Sequence, residues 1–293
     1  VEVLLAGVLG QEEAGGLDDD VGADLAPLQV GGILLGGQAD LLAVDDHVAA
    51  VDGDVAVETA VHRVVPEHVG QVQDPDGDRL SVVDNTGMAL PTHYSLMMAA
   101  DHVLSENPGV VVVNIQTTKN LEDIAASYGC SVEYAKVGEI NVVRKMVELG
   151  AEFGGEGNCG GVIWRRIHPG RDSFATMALL LEMLSLCDES IADIAGALDH
   201  YENQSLKFPC SPFNSREIIR LMAERYSNED LLTFDGLRIN FDHGWVLMRQ
   251  SNTEPVLRLT AETVSAELTE QLLSRFTTEI KELKNQLEGE NSG

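Results

Sequence analysis

The sequence predicts an α/β protein with a mainly parallel sheet, followed by a C-terminal α+β domain. Three observations predict this fold: a valine-rich apolar run at residues 109–115, alternating strand-like and helix-like segments over residues 80–201, and strand-like runs before a long amphipathic helix at the C-terminus. Continuous apolar runs are typical of parallel strands that are buried on both faces. Alternation of strands and helices favours a parallel sheet covered by helices.

Each segment of the α/β part has its own local signal. Residues 80–84 form a strand-like run that ends at the turn sequence NTG. Pro91 is placed to begin a helix, and the sequence NPG at 107–109 ends it. Thr117 and Thr118 can cap the next helix, which Gly129 closes. In order, we predict a strand at 80–84, a helix at 91–106, a strand at 109–115, a helix at 120–128, a strand at 131–136, and helices at 140–149, 173–186 and 191–201.

The last third of the chain is predicted to form the α+β domain. Residues 203–211 are predicted to be a linker, and NSRE at 214–217 resembles a capping box before a helix at 218–226. Strands are predicted at 237–241, 245–249 and 257–260. A long final helix follows, and its predicted buried stripe consists of Leu268, Leu272, Phe276, Ile280 and Leu283.

Net charge restricts the kind of ligand. The 293 residues carry a formal charge of −29, so the phosphates of a nucleic acid or of an anionic membrane surface would be repelled. A small anionic ligand can still bind where arginines and helix N-termini are concentrated. We therefore expect no nucleic acid and no membrane as partner.

Cysteine usage and hydropathy indicate a compartment. Cys130, Cys159, Cys187 and Cys210 are each more than 20 residues apart, which leaves no zinc-ligand spacing and is typical of reduced thiols. The sequence contains no run of 18 apolar residues, the length expected of a membrane-spanning helix. We expect a cytoplasmic protein; the sequence indicates no oligomeric state.

Composition changes sharply near residue 72. In residues 1–72, Val, Ala, Gly, Asp and Glu supply 50 of 72 positions, and Arg63 is the one arginine or lysine. All five of these residue types have codons that begin with guanine. One hypothesis is that residues 1–72 are a translation artefact, a wrong-frame or opposite-strand reading of GC-rich DNA. The alternative is a genuine β segment, because residues 51–59 alternate like a strand.

The sequence DPDGDR at residues 74–79 places three carboxylates at alternate positions. In an extended loop, side chains two residues apart point the same way. Asp74, Asp76 and Asp78 can therefore converge on one hard cation such as Mg²⁺. A simple surface turn is the alternative interpretation.

Two further motifs follow, GGEGNCGG at residues 154–161 and RQSNTEP at residues 249–255. Alone, the first is also typical of a flexible loop and the second of a surface turn. Taken together and in this order, the three motifs resemble the α-D-phosphohexomutase superfamily, which comprises phosphoglucosamine mutase, phosphomannomutase and phosphoglucomutase. The resemblance extends from about residue 73 to the C-terminus.

The resemblance implies a domain organisation. Residues 73–88 would be a remnant of the metal-binding domain, residues 89–204 a three-layer α/β domain that binds sugar, and residues 205–293 a C-terminal α+β domain that binds phosphate. Residues 1–72 would lie outside the family fold. Family members also carry a phosphorylated serine in a Ser-His-Asn-Pro setting, whereas this sequence has no Ser-His dipeptide and no serine before Ser81.

The resemblance also implies roles for single residues. In the metal loop (residues 74–79), Asp74, Asp76 and Asp78 would hold Mg²⁺ and Arg79 would contact phosphate. Lys136 would act as general acid and base. The sugar loop (residues 154–161) would bind sugar hydroxyls through Gly155, Glu156 and Asn158, although Cys159 is an insertion relative to the usual EGNGG. The phosphate loop (residues 249–255) and the strand after it would bind the phosphate that is not transferred, through Arg249, Ser251, Asn252, Thr253 and Arg258.

The activity that the resemblance implies is intramolecular phosphotransfer between the 6- and 1-positions of a hexose phosphate. The form of the sugar loop favours phosphoglucosamine mutase, with mannose and glucose phosphates as alternative substrates. A second hypothesis is a catalytically inactive fragment that binds sugar phosphates, because the phosphoserine is missing. A third is an acidic N-terminal adaptor joined to half an enzyme.

Overall fold

The computed structural model describes residues 69–157, 160–198, 200–251 and 254–290, together with five short strands nearer the N-terminus. These strands are β1 (Val3–Gly7), β2 (Val44–Asp45), β3 (Ala49–Val51), β4 (Val55–Val57) and β5 (Ala60–Val61). Strand β3 pairs antiparallel with β4, and β2 pairs antiparallel with β5. The alternating residues 51–59 therefore lie partly in β3 and β4 and partly outside the described residues.

A hairpin carries the metal loop. Strand β6 (Val69–Gln73) pairs antiparallel with β7 (Leu80–Val83), and β1 pairs with β6 in the parallel direction. The connection between β6 and β7 is the metal loop, in which Gly77 adopts a φ of 71°. Only glycine takes such a backbone conformation readily. The predicted strand at 80–84 is confirmed.

The α/β domain contains a four-stranded sheet in the order β11-β10-β8-β9. Strands β8, β9 and β10 are parallel and β11 is antiparallel to β10, so the predicted mainly parallel sheet is confirmed. The elements are α1 (His93–Glu106), β8 (Val111–Asn114), α2 (Asn120–Ser127), β9 (Val132–Ala135), α3 (Glu139–Leu149), β10 (Phe153–Glu156), β11 (Gly161–Trp164), α4 (Ser173–Leu186) and α5 (Ile191–Ala197).

Strand β8 shows why the sheet is covered on both faces. Its side chains alternate between faces: Val111 and Val113 pack into a core with α1 and α2, whereas Val112 packs into a second core with α3. All three valines are fully buried. The domain therefore has three layers, and the polar residues that follow each parallel strand lie at one edge of the sheet.

The C-terminal domain is an antiparallel sheet in the order β12-β16-β15-β14-β13, with two helices packed against it. Its elements are β12 (Glu202–Pro209), α6 (Pro212–Arg225), β13 (Asp230–Leu232), β14 (Leu237–Phe241), β15 (Gly244–Gln250), β16 (Val256–Thr263) and α7 (Ala266–Glu290). Phe276 of α7 is fully buried and stacks on Tyr226 with ring centres 5.1 Å apart. Among the described residues, no helix is both long and apolar enough to cross a bilayer.

Three sequence predictions for this domain are wrong. Residues 203–211 are largely the edge strand β12, which pairs with β16 along its whole length; its exposed, polar residues hide the strand pattern. Helix α6 begins before residue 218, because Ser211 caps it by accepting the Asn214 N–H. In α7, Leu268 is 40% exposed and Leu273 takes the buried position.

His93 makes the stability of the fold depend on pH. Burial lowers the pKa of His93 to about 4, and the nearby His200 adds to the effect. Because an unfolded histidine takes up a proton near pH 6.5, the stability that His93 contributes is present above pH 6.5 and is lost as the pH falls towards 4. We expect the wild type to lose more stability than His93→Gln over this range in urea unfolding. His243→Gln, in an exposed hairpin turn, is the control and should follow the wild type.

Candidate functional site

Asp74 accepts hydrogen bonds from backbone N–H groups of its own metal loop. The side chain is buried, and its Oδ1 accepts the N–H groups of Asp78 at 3.1 Å and of Arg79 at 3.2 Å. The Arg79 Nε lies 2.7 Å from Asp74 Oδ2 and 3.3 Å from Asp78 Oδ1. Arg79, predicted to contact phosphate, therefore pairs with the carboxylates of its own loop in this structure.

The structure brings two of the three predicted metal ligands together. Burial raises the pKa of Asp78, the Arg171 guanidinium lowers it, and the adjacent Asp74 carboxylate raises it again. Asp76 is exposed, and within the described residues no group of three or more His, Cys, Asp or Glu side chains is gathered for a metal ion. The Asp74 and Asp78 pair still fits Mg²⁺, which is commonly held by one or two carboxylates together with phosphate oxygens and water.

Glu156 of the sugar loop is a buried carboxylate with directed donors around it. It ends strand β10 and is 5% exposed. Its Oε1 accepts the Gly138 N–H at 2.7 Å and the Asn114 Nδ2 at 3.0 Å, while its Oε2 lies 3.1 Å from Arg171 Nη1. A carboxylate that accepts from several fixed donors is held in one direction.

Close packing explains why glycines stand on both sides of Glu156. Gly155 lies inside β10, where an added Cβ would be 2.3 Å from the Gly161 carbonyl oxygen. The Gly157 N–H donates to Thr117 Oγ1 at 3.1 Å. Gly155, predicted to bind sugar, is thus required by the sheet. Asn158 and the inserted Cys159 lie outside the described residues.

Lys136 follows strand β9 and is exposed. The next two residues connect it to both domains: the Gly138 N–H binds Glu156, and the Val137 N–H donates to Asp235 Oδ2 of the C-terminal domain at 2.8 Å. The predicted general acid and base therefore stands between the sugar loop and the C-terminal domain.

A row of cations crosses the C-terminal sheet beside the phosphate loop. Arg249 of β15 pairs in register with Arg258 of β16, and Arg258 pairs with Lys207 of β12. Residues opposite each other on neighbouring strands share a face, and like charges at such positions repel. Acidic neighbours offset part of the charge, since Arg249 Nε is 3.3 Å from Asp235 Oδ1 and Lys207 Nζ is 3.7 Å from Glu254 Oε2. The row favours binding of an anion.

Ser251 shapes the phosphate loop. It is buried, its N–H donates to the Val256 carbonyl at 3.0 Å, and its Oγ accepts the Glu254 N–H at 3.3 Å. These two bonds tie Ser251 to the residues at the start of β16. The predicted ligands Asn252 and Thr253 lie outside the described residues.

Arg238 fixes the α/β domain to the C-terminal domain. It is fully buried, and its Nη1 donates to the Ile115 carbonyl at 2.8 Å. Its guanidinium carbon lies 4.4 Å from the Tyr134 ring centre and 4.5 Å from that of Trp245. Glu262 adds a second connection: it accepts the Trp245 Nε1–H at 2.8 Å and the Lys119 N–H at 2.7 Å. The two predicted binding loops therefore sit on domains with a defined relative position.

Sequence reasoning missed Asn114, Lys207 and Asp235. For His168 and Arg171, just before the helix predicted at 173–186, it left a phosphate contact and a structural role equally open. A signal existed for Asn114, which ends a buried parallel strand, the place where open α/β sheets present ligand groups. Lys207 was hidden in the supposed linker. No local pattern indicates Asp235 or the carboxylate partners of Arg171, because the contacts involved join residues that are distant in sequence.

Comparison with known proteins assigns the two domains. Residues 91–201 match the phosphoglucomutase/phosphomannomutase alpha/beta/alpha domain III, and residues 216–279 match the C-terminal domain of the same family. A phosphoglucomutase/phosphomannomutase of Thermococcus kodakarensis is 34% identical over 75% of this chain and 48% of its own length. A probable phosphoglucosamine mutase of Pyrococcus horikoshii is 30% identical over 75% of this chain and 49% of its own length.

Solved structures share the fold. A phosphoglucomutase/phosphomannomutase family protein from Burkholderia thailandensis superposes with a TM-score of 0.65 and 29% identity, over 74% of this chain and 47% of that one. N-acetylphosphoglucosamine mutase of Aspergillus fumigatus, solved in complex with GlcNAc-6P and magnesium, has a TM-score of 0.55 over 74% of this chain and 49% of that one. At 13% identity, this second likeness concerns the fold alone.

The chain spans about half the length of the curated relatives that it matches. Within that half, the α/β domain and the C-terminal domain both match and follow each other in family order. The chain therefore belongs to the phosphoglucomutase/phosphomannomutase family.

Proposed function

We propose that this chain binds a hexose phosphate between the sugar loop and the phosphate loop, as the substrate-recognising half of a phosphohexomutase. One observation carries the proposal: a chain of hydrogen bonds and ion pairs that runs from one loop to the other. Glu156 accepts the Gly138 N–H, the adjacent Val137 N–H donates to Asp235, and Asp235 pairs with Arg249. A carboxylate suited to sugar hydroxyls is thus held in a defined relation to an arginine suited to phosphate.

The two ends of this chain have complementary chemistry. A carboxylate can accept hydrogen bonds from adjacent sugar hydroxyls. The Glu156 carboxylate is held in place by hydrogen bonds from Gly138 and Asn114. Arg249, Arg258 and Lys207 supply positive charge for a phosphate dianion. Glucosamine phosphate is the proposed ligand, with mannose and glucose phosphates as alternatives that share both features.

Phosphotransfer itself is the further part of the proposal. Asp74 and Asp78 would hold Mg²⁺, with Asp76 able to join from the same loop, and the ion would neutralise charge on the transferring phosphoryl group. Lys136 would carry the proton of the attacking hydroxyl. The proposed divisions are residues 73–88 for a remnant of the metal-binding domain, 89–204 for the sugar-binding domain and 205–293 for the phosphate-binding domain, in a cytoplasmic protein.

The second candidate function is sugar-phosphate binding without turnover. It concerns the given sequence as it stands, which contains no Ser-His dipeptide, the setting that the resemblance implies for the phosphorylated serine. The two candidates share the binding site and differ only in chemistry.

Calorimetric titration of the purified chain with glucosamine 6-phosphate tests the proposal. We expect saturable, weak binding, and at least about tenfold weaker binding of unphosphorylated glucosamine, since the charge-assisted bonds to phosphate are lost. Equal affinity for the two ligands, or no binding of any of the three hexose phosphates, would refute the proposed site. A coupled assay for glucosamine 1-phosphate then separates the candidates: turnover supports the mutase, and binding without turnover supports the second function.

A further inference from the structure

Arg171 joins three carboxylates from three separate segments. Its Nη2 lies 2.5 Å from Asp78 Oδ2 of the metal loop, and its Nη1 lies 3.1 Å from Glu156 Oε2 of the sugar loop. Its Nε lies 3.0 Å from Glu139 Oε2 at the start of α3. The side chain is only 19% exposed, so these pairs are partly shielded from water.

Hydrogen bonds of the next residue, Asp172, fix the backbone beside Arg171. Asp172 caps helix α4 by accepting the Ala175 N–H at 3.0 Å, and its own N–H donates to the Val162 carbonyl at 3.0 Å. Gly161 makes room for the side chain, because an added Cβ there would be 2.2 Å from Arg171 Cδ. The position of the guanidinium is therefore built into the fold.

The charges around Arg171 are unbalanced. One guanidinium faces the carboxylates of Asp78, Glu139 and Glu156. Its planar fork of five N–H donors suits several carboxylates at once, whereas a lysine ammonium acts as a point charge. Since Asp78 is also a proposed metal ligand, a divalent cation at the metal loop and Arg171 must share the same carboxylate.

We propose that Arg171 is a positioning residue that connects the metal loop to the sugar loop and competes with a divalent cation for Asp78. In the chain without a cation, Arg171 pairs with Asp78 alongside Arg79 and holds Glu156 in its binding direction. A cation bound at Asp78 weakens the ion pair between Arg171 and Asp78. Metal binding at the metal loop therefore changes the contact between Arg171 and Glu156 of the sugar loop. The inference rests on the proposed metal role of Asp78 and does not require that hexose phosphate binds.

Manganese affinity gives a readout that a merely structural role would not produce. We expect Arg171→Gln to bind Mn²⁺ about tenfold more tightly than the wild type, because one positive charge near the cation is removed. A residue that only held the loop in shape would instead weaken metal binding when replaced. Arg171→Lys keeps the charge and should bind Mn²⁺ with nearly wild-type affinity.

The experiment is a titration of the full chain with Mn²⁺ at low ionic strength and pH 8, in which electron paramagnetic resonance measures the bound and free Mn²⁺. Arg166→Gln is the matched control: Arg166 is exposed and pairs with Glu152, which precedes β10 at the end opposite Glu156, so the same change in net charge should leave affinity unaltered. Arg171→Met, which keeps the aliphatic stem, replaces the glutamine variant if that variant fails the circular dichroism check for folding.

Tighter Mn²⁺ binding in Arg171→Gln alone supports the proposal. Unchanged or weaker binding in that variant, equal tightening in Arg166→Gln, or no Mn²⁺ binding by the wild type overturns it. Failure of glucosamine 6-phosphate to bind would refute the proposed function separately, and the manganese result would still decide the role of Arg171.

Discussion

Replacing Arg238 with methionine is expected to lower the free energy of unfolding by about 3–5 kcal/mol, the usual cost of removing one partner from a buried charged network. Arg238 is fully buried, and its Nη1 donates to the carbonyl oxygens of Ile115 at 2.8 Å and of Thr117 at 3.4 Å. Methionine fills much of the space but donates no hydrogen bond, so these carbonyl groups lose their donor while still buried.

The loss should also loosen the contact between domains. Arg238 lies between the rings of Tyr134 and Trp245, which belong to the α/β domain and the C-terminal domain respectively. Urea unfolding followed by tryptophan fluorescence measures the change, since Trp245 is fully buried in this interface.

Arg275→Met is the matched control for Arg238→Met. Arg275 also lies over an aromatic ring, with its guanidinium carbon 5.2 Å from the Tyr226 ring centre, but its side chain is 55% exposed. An exposed pair contributes little, so we expect a change within about 1 kcal/mol. Equal destabilisation by the two variants would contradict the structural role given to Arg238.

Replacing Glu156 with glutamine is expected to weaken glucosamine 6-phosphate binding by about 30- to 150-fold, which corresponds to the roughly 2–3 kcal/mol of a charged hydrogen bond. Glutamine has nearly the same shape, but its NH₂ group would face the Arg171 guanidinium, a donor opposite a donor, in place of Oε2 at 3.1 Å. The variant therefore has no carboxylate to accept hydrogen bonds from the sugar hydroxyls or to pair with Arg171. Calorimetric titration of the variant measures the change.

Glu152→Gln controls for the loss of one negative charge. Glu152 forms an exposed pair with Arg166 at 2.6 Å, and its replacement should leave the affinity within twofold of the wild type. Wild-type affinity in Glu156→Gln would show that the sugar loop carboxylate does not bind the ligand. That result would remove the main support for the proposed function.

The sequence predicted those parts of the fold that local patterns encode. The valine run at β8 was recognisable because a strand buried on both faces is continuously apolar. Strand β12 was missed because an edge strand of polar residues shows no such pattern, and its partner β16 is about 50 residues away. Helix boundaries were harder to predict than the existence of a helix. Helix α6, for example, was predicted but begins before residue 218.

The candidate site was predictable as motifs but not as an arrangement. The spacing of DPDGDR predicted that three carboxylates converge; the structure places Asp74 next to Asp78 and leaves Asp76 exposed. Arg171 and Asp235 act through partners on other elements. Contacts between segments distant in sequence depend on the packing of the two domains, which no local pattern contains.

A rival location for a ligand exists on the same domain. A cavity of about 740 Å³ lies between the β14–β15 hairpin and α7, and its lining includes Asp242, His243, Leu272 and Arg275. None of the described residues of the sugar loop or the phosphate loop lines it. A ligand bound there would contact the C-terminal domain alone.

The central claim is that one hexose phosphate contacts both domains, and amide chemical shifts of the ¹⁵N-labelled chain during a glucosamine 6-phosphate titration test it most directly. We predict that the amides of Gly157 in the sugar loop and Ser251 in the phosphate loop shift together, with one common dissociation constant. Shifts confined to one of these loops, or to the residues that line the cavity beside α7, would contradict it.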